Sequence, residues 1–158
     1  MKTTIILILI LLSLNINAQH LFPTHFEGCN TSLFSLEGKE MYAQKNSDDL
    51  LKEITNGLDA GILKKAKGMI TFQVLVDTLG APCLLSAQNE LKGKIKAVDF
   101  KTIIDTQTTW TCPMDEGNKV MACVLVQLIF DKKEIVLKRI GFNSKLGRIE
   151  LSRVVMKK

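Results

Sequence analysis

The chain has 158 residues, of which 46% are hydrophobic and 23% charged, with a formal net charge of +5. That length and apolar content suit one folded domain and exclude a disordered polar segment. The charge excess is mild and no basic stripe is interleaved with aromatics, so single-stranded nucleic-acid binding gains no support.

The first 18 residues carry the pattern of a secretory leader. Lys2 supplies the positive start, Ile5 to Leu14 the apolar run, and Ile16 and Ala18 the residues before a cut between Ala18 and Gln19. A spanning anchor would need roughly 20 apolar residues, and Asn15 and Asn17 end this run early. The expectation is an exported chain, periplasmic or secreted, with no membrane span after processing. The cysteines are Cys29, Cys83, Cys112 and Cys123. Export permits disulfides, and the sequence does not choose among the three complete pairings. No C-x-x-C spacing occurs, so neither a zinc knuckle nor a thioredoxin-type redox site is indicated.

Residues 19–46 read as an irregular arm broken by Pro23, Gly28 and Gly38. A short helix is expected next, capped by Ser47, with Asp48 and Asp49 against its dipole and Leu50, Leu51, Ile54 and Leu58 as one apolar stripe. Ile70, Phe72, Val74 and Val76 then alternate with Thr71, Gln73 and Asp77, the period of a strand with one buried face. On that phase Phe72 belongs beneath the helix bearing Ile103, and Gln73 on the opposite, tolerant face. Asp77-Thr78-Leu79-Gly80 reads as a hairpin turn, followed by a strand over Pro82 to Gln88. Asp99 caps a helix whose Val98 and Ile103 form a staple and whose Phe100, Ile103 and Ile104 face the sheet.

Trp110 and Pro113 close that segment, and Asp115 to Asn118 turn the chain. A long strand follows over Lys119 to Phe130. Val120, Ala122, Val124, Val126, Leu128 and Phe130 line one face, and Met121, Cys123, Leu125 and Ile129 make the other apolar too. Such a strand is covered on both sides or presents an apolar surface to a partner. Glu134 to Ile140 and Arg148 to Val155 read as a C-terminal hairpin. The fold class expected is α+β: a small antiparallel sheet in β-β-α-β order with a helix on one face, an N-terminal helix and an added hairpin.

The residues supply no catalytic machinery, cofactor site or metal site by pattern. His20 and His25 both lie in the arm without clustered ligands, and the adjacent acids Asp48-Asp49 and Asp115-Glu116 suit a helix start and a solvated loop. No nucleophile elbow, H-E-x-x-H or phosphate-binding glycine loop occurs. A binding protein is expected rather than an enzyme.

Gly68, Val76, Asp77, Gly80, Trp110, Pro113, Gly117, Val120 and Phe130 stand in an order that resembles the C-terminal domain of TonB-family energy transducers. That pattern is a glycine, a strand ending in V-D-x-x-G, a second strand, a helix, W-x-P, then G-x-x-V and a strand ending in an aromatic. Here the proline comes one place later, as W-x-x-P. Ala60-Gly61-Ile62-Leu63 replaces the usual tyrosine-proline, and Phe26-Glu27-Gly28-Cys29 resembles the F-x-G-C of one branch. The membrane anchor and proline-rich spacer of the transducers are expected to be missing. The division implied is a leader over 1–18, an arm over 19–46, a TonB-C-like domain over 47–131 and a hairpin extension over 132–158.

The resemblance implies a protein-interaction module that adds an edge strand to a partner segment, such as one of an outer-membrane receptor, with a role in transmembrane transport. The candidate partner-binding residues are Val120, Ala122, Val124, Val126 and Gln127, with Trp110. Gly68, Phe72, Asp77, Gly80, Pro113, Gly117 and Phe130 form the fold motif. The alternative is a periplasmic or secreted structural protein whose edge its own hairpin caps.

Overall fold

Short-period alternation over most of the chain and three brief helical stretches produce an α+β protein. A computed structural model describes residues 19–38, 41, 43 and 45–158, so the leader expected over 1–18 lies outside the described residues. The elements are β1 (Thr24–His25), β2 (Ser35–Leu36), α1 (Ser47–Asn56), α2 (Ala60–Lys65), β3 (Gly68–Val76), β4 (Pro82–Asn89), a 3-10 turn (Gly93–Ala97) and α3 (Phe100–Gln107). They continue with β5 (Met114–Asp115), β6 (Asn118–Lys119), β7 (Ala122–Phe130), β8 (Glu134–Asn143) and β9 (Gly147–Lys157). None of the described helices is long and apolar enough to cross a membrane.

One sheet runs in the order β1-β4-β3-β7-β8-β9, with β2 beside the start of β7. All its pairings are antiparallel except β2 with β7. The hairpin expected as an extension thus continues the sheet, and the arm expected to be irregular contributes two of its strands.

The helix caps follow side-chain chemistry. Asn46, not Ser47, caps α1: its backbone is extended and its side chain accepts the amides of Asp48 and Asp49. Ser47 is the first helical residue, and its hydroxyl meets that of Ser152 at 2.6 Å. The helix α2 was not expected. Asp59 starts it by accepting the Ile62 amide at 2.9 Å. Asp99 caps α3 as expected, accepting the Thr102 amide at 3.1 Å.

Helices cover one face of the sheet. Leu50, Leu51, Ile54, Phe100, Ile103 and Ile104 join Ile70, Phe72, Val74 and Val76 in the larger core, where the Phe72 and Phe100 rings lie 5.2 Å apart. The arm covers the other face, where Phe22, Leu75, Leu85, Cys123 and Leu125 form a second core. Gln73 belongs to this second face and is fully buried, which corrects the expectation of a tolerant position. Its amide accepts the Leu21 N–H at 2.9 Å and the Ser86 hydroxyl, and donates to the Gln19 carbonyl at 2.9 Å. A buried amide so paired replaces the apolar residue the face would otherwise need.

Two fold motifs meet at the β3–β4 turn. The Asp77 carboxylate accepts the amides of Leu79 and Ala81, and Gly80 takes φ +86°. A Cβ at Gly80 would lie 2.5 Å from the Trp110 carbonyl oxygen, so the V-D-x-x-G turn packs directly on the W-x-x-P segment. Pro113 is buried and its carbonyl accepts the Val120 amide at 3.0 Å, while Gly117 turns β5 into β6. This small hairpin takes up Lys119, so the last core strand begins at Ala122.

Cys29 and Cys83 form a disulfide that fastens the arm to β4. Cys112 is half-buried and Cys123 buried, both with free thiols. Burial pushes the Cys123 thiol up to about 12. Because the thiolate is the reactive form, Ellman's reagent at pH 8 is expected to modify Cys112 in the native protein and Cys123 only after denaturation. Prompt reaction of both thiols would contradict this burial.

Candidate functional site

The sheet has two ends, and the chain treats them differently. A strand at the end of a sheet presents unpaired amides and carbonyls, which a partner segment can use. The strand expected to do so, β7, is not at an end. Ala122 to Phe130 pair with β3 on one side, and Leu125 to Phe130 pair with β8 on the other. The short remainder of that side is filled by the arm: Ser35 and Leu36 lie opposite Ala122 and Cys123, and the Glu37 amide donates to the Cys123 carbonyl at 2.9 Å.

The expected contact residues are therefore enclosed. Ala122, Val124 and Val126 are fully buried, and Gln127 sits between Thr71 and Lys138. Val120 precedes the strand and bonds to Pro113. The reason is pairing: Ile135 to Ile140, within the alternation expected over 134–140, lie along β7, so the hairpin covers most of it. Trp110 is half-buried against the helix-side core, its indole N–H donates to Thr108 at 2.8 Å, and the Arg139 guanidinium lies 5.8 Å from its ring centre. It lies just beyond the end of α3, with its backbone against Gly80 of the β3–β4 turn.

The β4 end of the sheet is closed by local devices. Thr24 and His25 pair with Ala87 and Ser86, and the Phe26 amide donates to the Leu85 carbonyl at 3.0 Å. Asp105 reaches across from α3 to accept the Leu84 amide at 2.6 Å. The disulfide then holds the arm at Cys83. The arm's histidine rings stack at 4.2 Å, and the described residues hold no group of three metal-ligating side chains.

Among the described residues the β9 end is open, and its residues pair with β8 only. The Lys158 amide donates to the Lys133 carbonyl at 2.9 Å, which fixes the alternation of the antiparallel ladder. The backbone groups of Val154 and Met156 face β8, and those of Arg153, Val155 and Lys157 face outward. Side chains follow the same division. Val154 and Met156 pack on the helix-side core, whereas Arg148, Glu150, Arg153, Val155 and Lys157 are exposed. Three of these five are cationic. Glu150, the one acid, is already engaged by Lys138 at 3.1 Å and Arg153 at 3.6 Å.

A buried charge pair holds this hairpin in place. Arg139 on β8 donates to the Glu37 carboxylate, to the Ala43 carbonyl at 2.8 Å and to the Lys45 carbonyl at 2.8 Å. Burial pushes the Glu37 carboxyl above the ordinary carboxylate range, with Arg139 opposing the shift. Lys45 meets Glu53 of α1 at 2.7 Å, and Glu53 also accepts from Thr109. Arm, α1, the Trp110 segment and the hairpin are thus joined in one polar network, whose members are too far apart in sequence to be associated by pattern. No family model, curated protein or solved structure matches the chain.

Proposed function

We propose that this is an exported protein-interaction module that binds an extended segment of a partner by strand addition along β9. The observation that carries the reading is the asymmetry of the sheet. Among the described residues an eleven-residue strand is paired on one side only, while the opposite end is closed by the arm, a disulfide and Asp105. The resemblance to TonB C-terminal domains supports the same mode of recognition, with a periplasmic location and an outer-membrane receptor segment as the partner class. Binding, not catalysis, is the role.

Charge selects the occupant. Arg148, Arg153 and Lys157 along one edge disfavour a second copy of the same strand and favour a segment carrying Asp or Glu. A self-capped structural role is the second reading, favoured by the enclosure of β7 by β8 and β2.

A proline separates the two. Val155→Pro removes an outward amide but no bond to β8, a placement that edge strands tolerate. It is expected to weaken binding of an extended, acidic ten-residue peptide by about tenfold, or about 1.4 kcal/mol, with the thermal midpoint unchanged. Val155→Thr is expected to bind nearly as the parent, because the main chain carries the contact. Equal affinity for the proline variant and the parent would exclude addition at β9.

A further inference from the structure

Lysines that are dispersed in the sequence are gathered by the fold. The Lys92 amide donates to the Lys67 carbonyl at 2.9 Å, which brings the segment after β4 beside the end of α2. Lys64, Lys65 and Lys67 thereby face the same end of the molecule as Lys92, Lys94 and Lys96. All six are exposed, and none forms an ion pair among the described residues. The nearby acids are fewer: Asp59 and Asp99 cap helices, and Glu90 accepts from Gln88, so the six lysines leave this end cationic.

Between α2 and the 3-10 turn lies a cavity of about 420 Å³, within the roughly 300–1,000 Å³ of small-molecule sites. Ile62, Ala66 and Ile95 give it an apolar floor, and Lys65, Lys92 and Lys94 stand around it with one acid, Asp59. Ala66 and Ile95 are almost wholly buried and anchor the floor to the packed core, so the apolar surface a ligand meets is that of Ile62 and the lysine stems. An apolar floor inside a cationic rim matches a ligand with both parts. No aromatic side chain lines the cavity, so base stacking, the usual partner of a lysine groove on nucleic acid, has no platform.

We propose that this cavity binds an anionic amphiphile, its acyl chain against Ile62 and the lysine stems and its phosphate or carboxylate among Lys65, Lys92 and Lys94. The lysine stems extend the apolar wall while their ammonium groups meet the head. The site is independent of the β9 edge and stands if strand addition fails.

Calorimetric titration of the processed protein with monomeric dodecyl phosphate and dodecanoate tests it. Both are expected to bind at one site, with inorganic phosphate and dodecyl maltoside each at least tenfold weaker. Lys65→Glu with Lys94→Glu is expected to weaken dodecyl phosphate at least tenfold without moving the thermal midpoint, and Val155→Pro is expected to leave it unchanged. If phosphate alone or the neutral detergent binds as well, or the charge reversals have no effect, the proposal is overturned. Binding to phosphatidylglycerol vesicles without binding of the monomers would also overturn it, since that is attraction to a charged surface rather than a site.

Discussion

Replacing Phe72 by alanine is expected to lower the unfolding free energy by about 3–5 kcal/mol. Phe72 is fully buried at the centre of β3, against Phe100 of α3 and beneath the helix layer. Its loss leaves a cavity walled by the sheet on one side and two helices on the other, and neither wall can collapse without breaking hydrogen bonds. Gln73→Ala, on the opposite face, is expected to lose about 1–3 kcal/mol through the part-buried Leu21 amide and the buried Ser86 hydroxyl it would strand. It should also loosen the arm, visible as faster proteolysis before Cys29. Urea unfolding of both variants checks the pair. An unaffected Gln73→Ala would mean that the arm does not pack on that face.

Arg139→Ala is expected to lower stability by about 3–5 kcal/mol, because it leaves Glu37 buried without its counter-charge. Arg139→Met combined with Glu37→Leu is expected to recover most of the loss, since a dry apolar pair needs no compensation. The pH dependence has a definite sign. Burial raises the folded pKa of Glu37 above its ordinary 4.5, so the contribution of its neutral form is complete below that value and is lost as pH rises through the folded one. Without Arg139 the folded value climbs further, and the defect of Arg139→Ala shrinks on acidification from pH 7 towards 4.5. A defect that is constant with pH would mean that Glu37 is solvated when the arginine is gone.

Local patterns were legible and distant pairings were not. The alternation of β3, the Asp77–Gly80 turn, the Asp99 cap and the apolar stripe of α1 each depend on residues within a few positions, and the sequence showed them. Gln73 was misread because its partners, Gln19 and Leu21, lie more than fifty residues away. The same distance hid the arm's two strands and the choice of Cys29 with Cys83 among three pairings. Val124 and Val126 stand among the candidate partner contacts because an apolar strand covered on both sides and one awaiting a partner have the same composition. The pairing of Ile135 to Ile140 with β7 decides between those cases. Leu151, which lies where the β8–β9 register shifts, disturbs the alternation that would have shown the full extent of the edge.

Deleting residues 132–158 does not isolate the edge question, because Ile135 and Leu137 are fully buried and their removal opens the core. Amide hydrogen exchange followed residue by residue addresses it with the chain intact. In the free protein the outward amides of Arg153, Val155 and Lys157 are predicted to exchange rapidly, while those of Val154 and Met156 are slow. Adding an extended ten-residue peptide of alternating valine and glutamate is predicted to slow the outward three and leave the β7 amides unchanged. Outward amides already protected in the free protein, or protection by the peptide at β4 or nowhere, would contradict an open β9 edge as the binding surface.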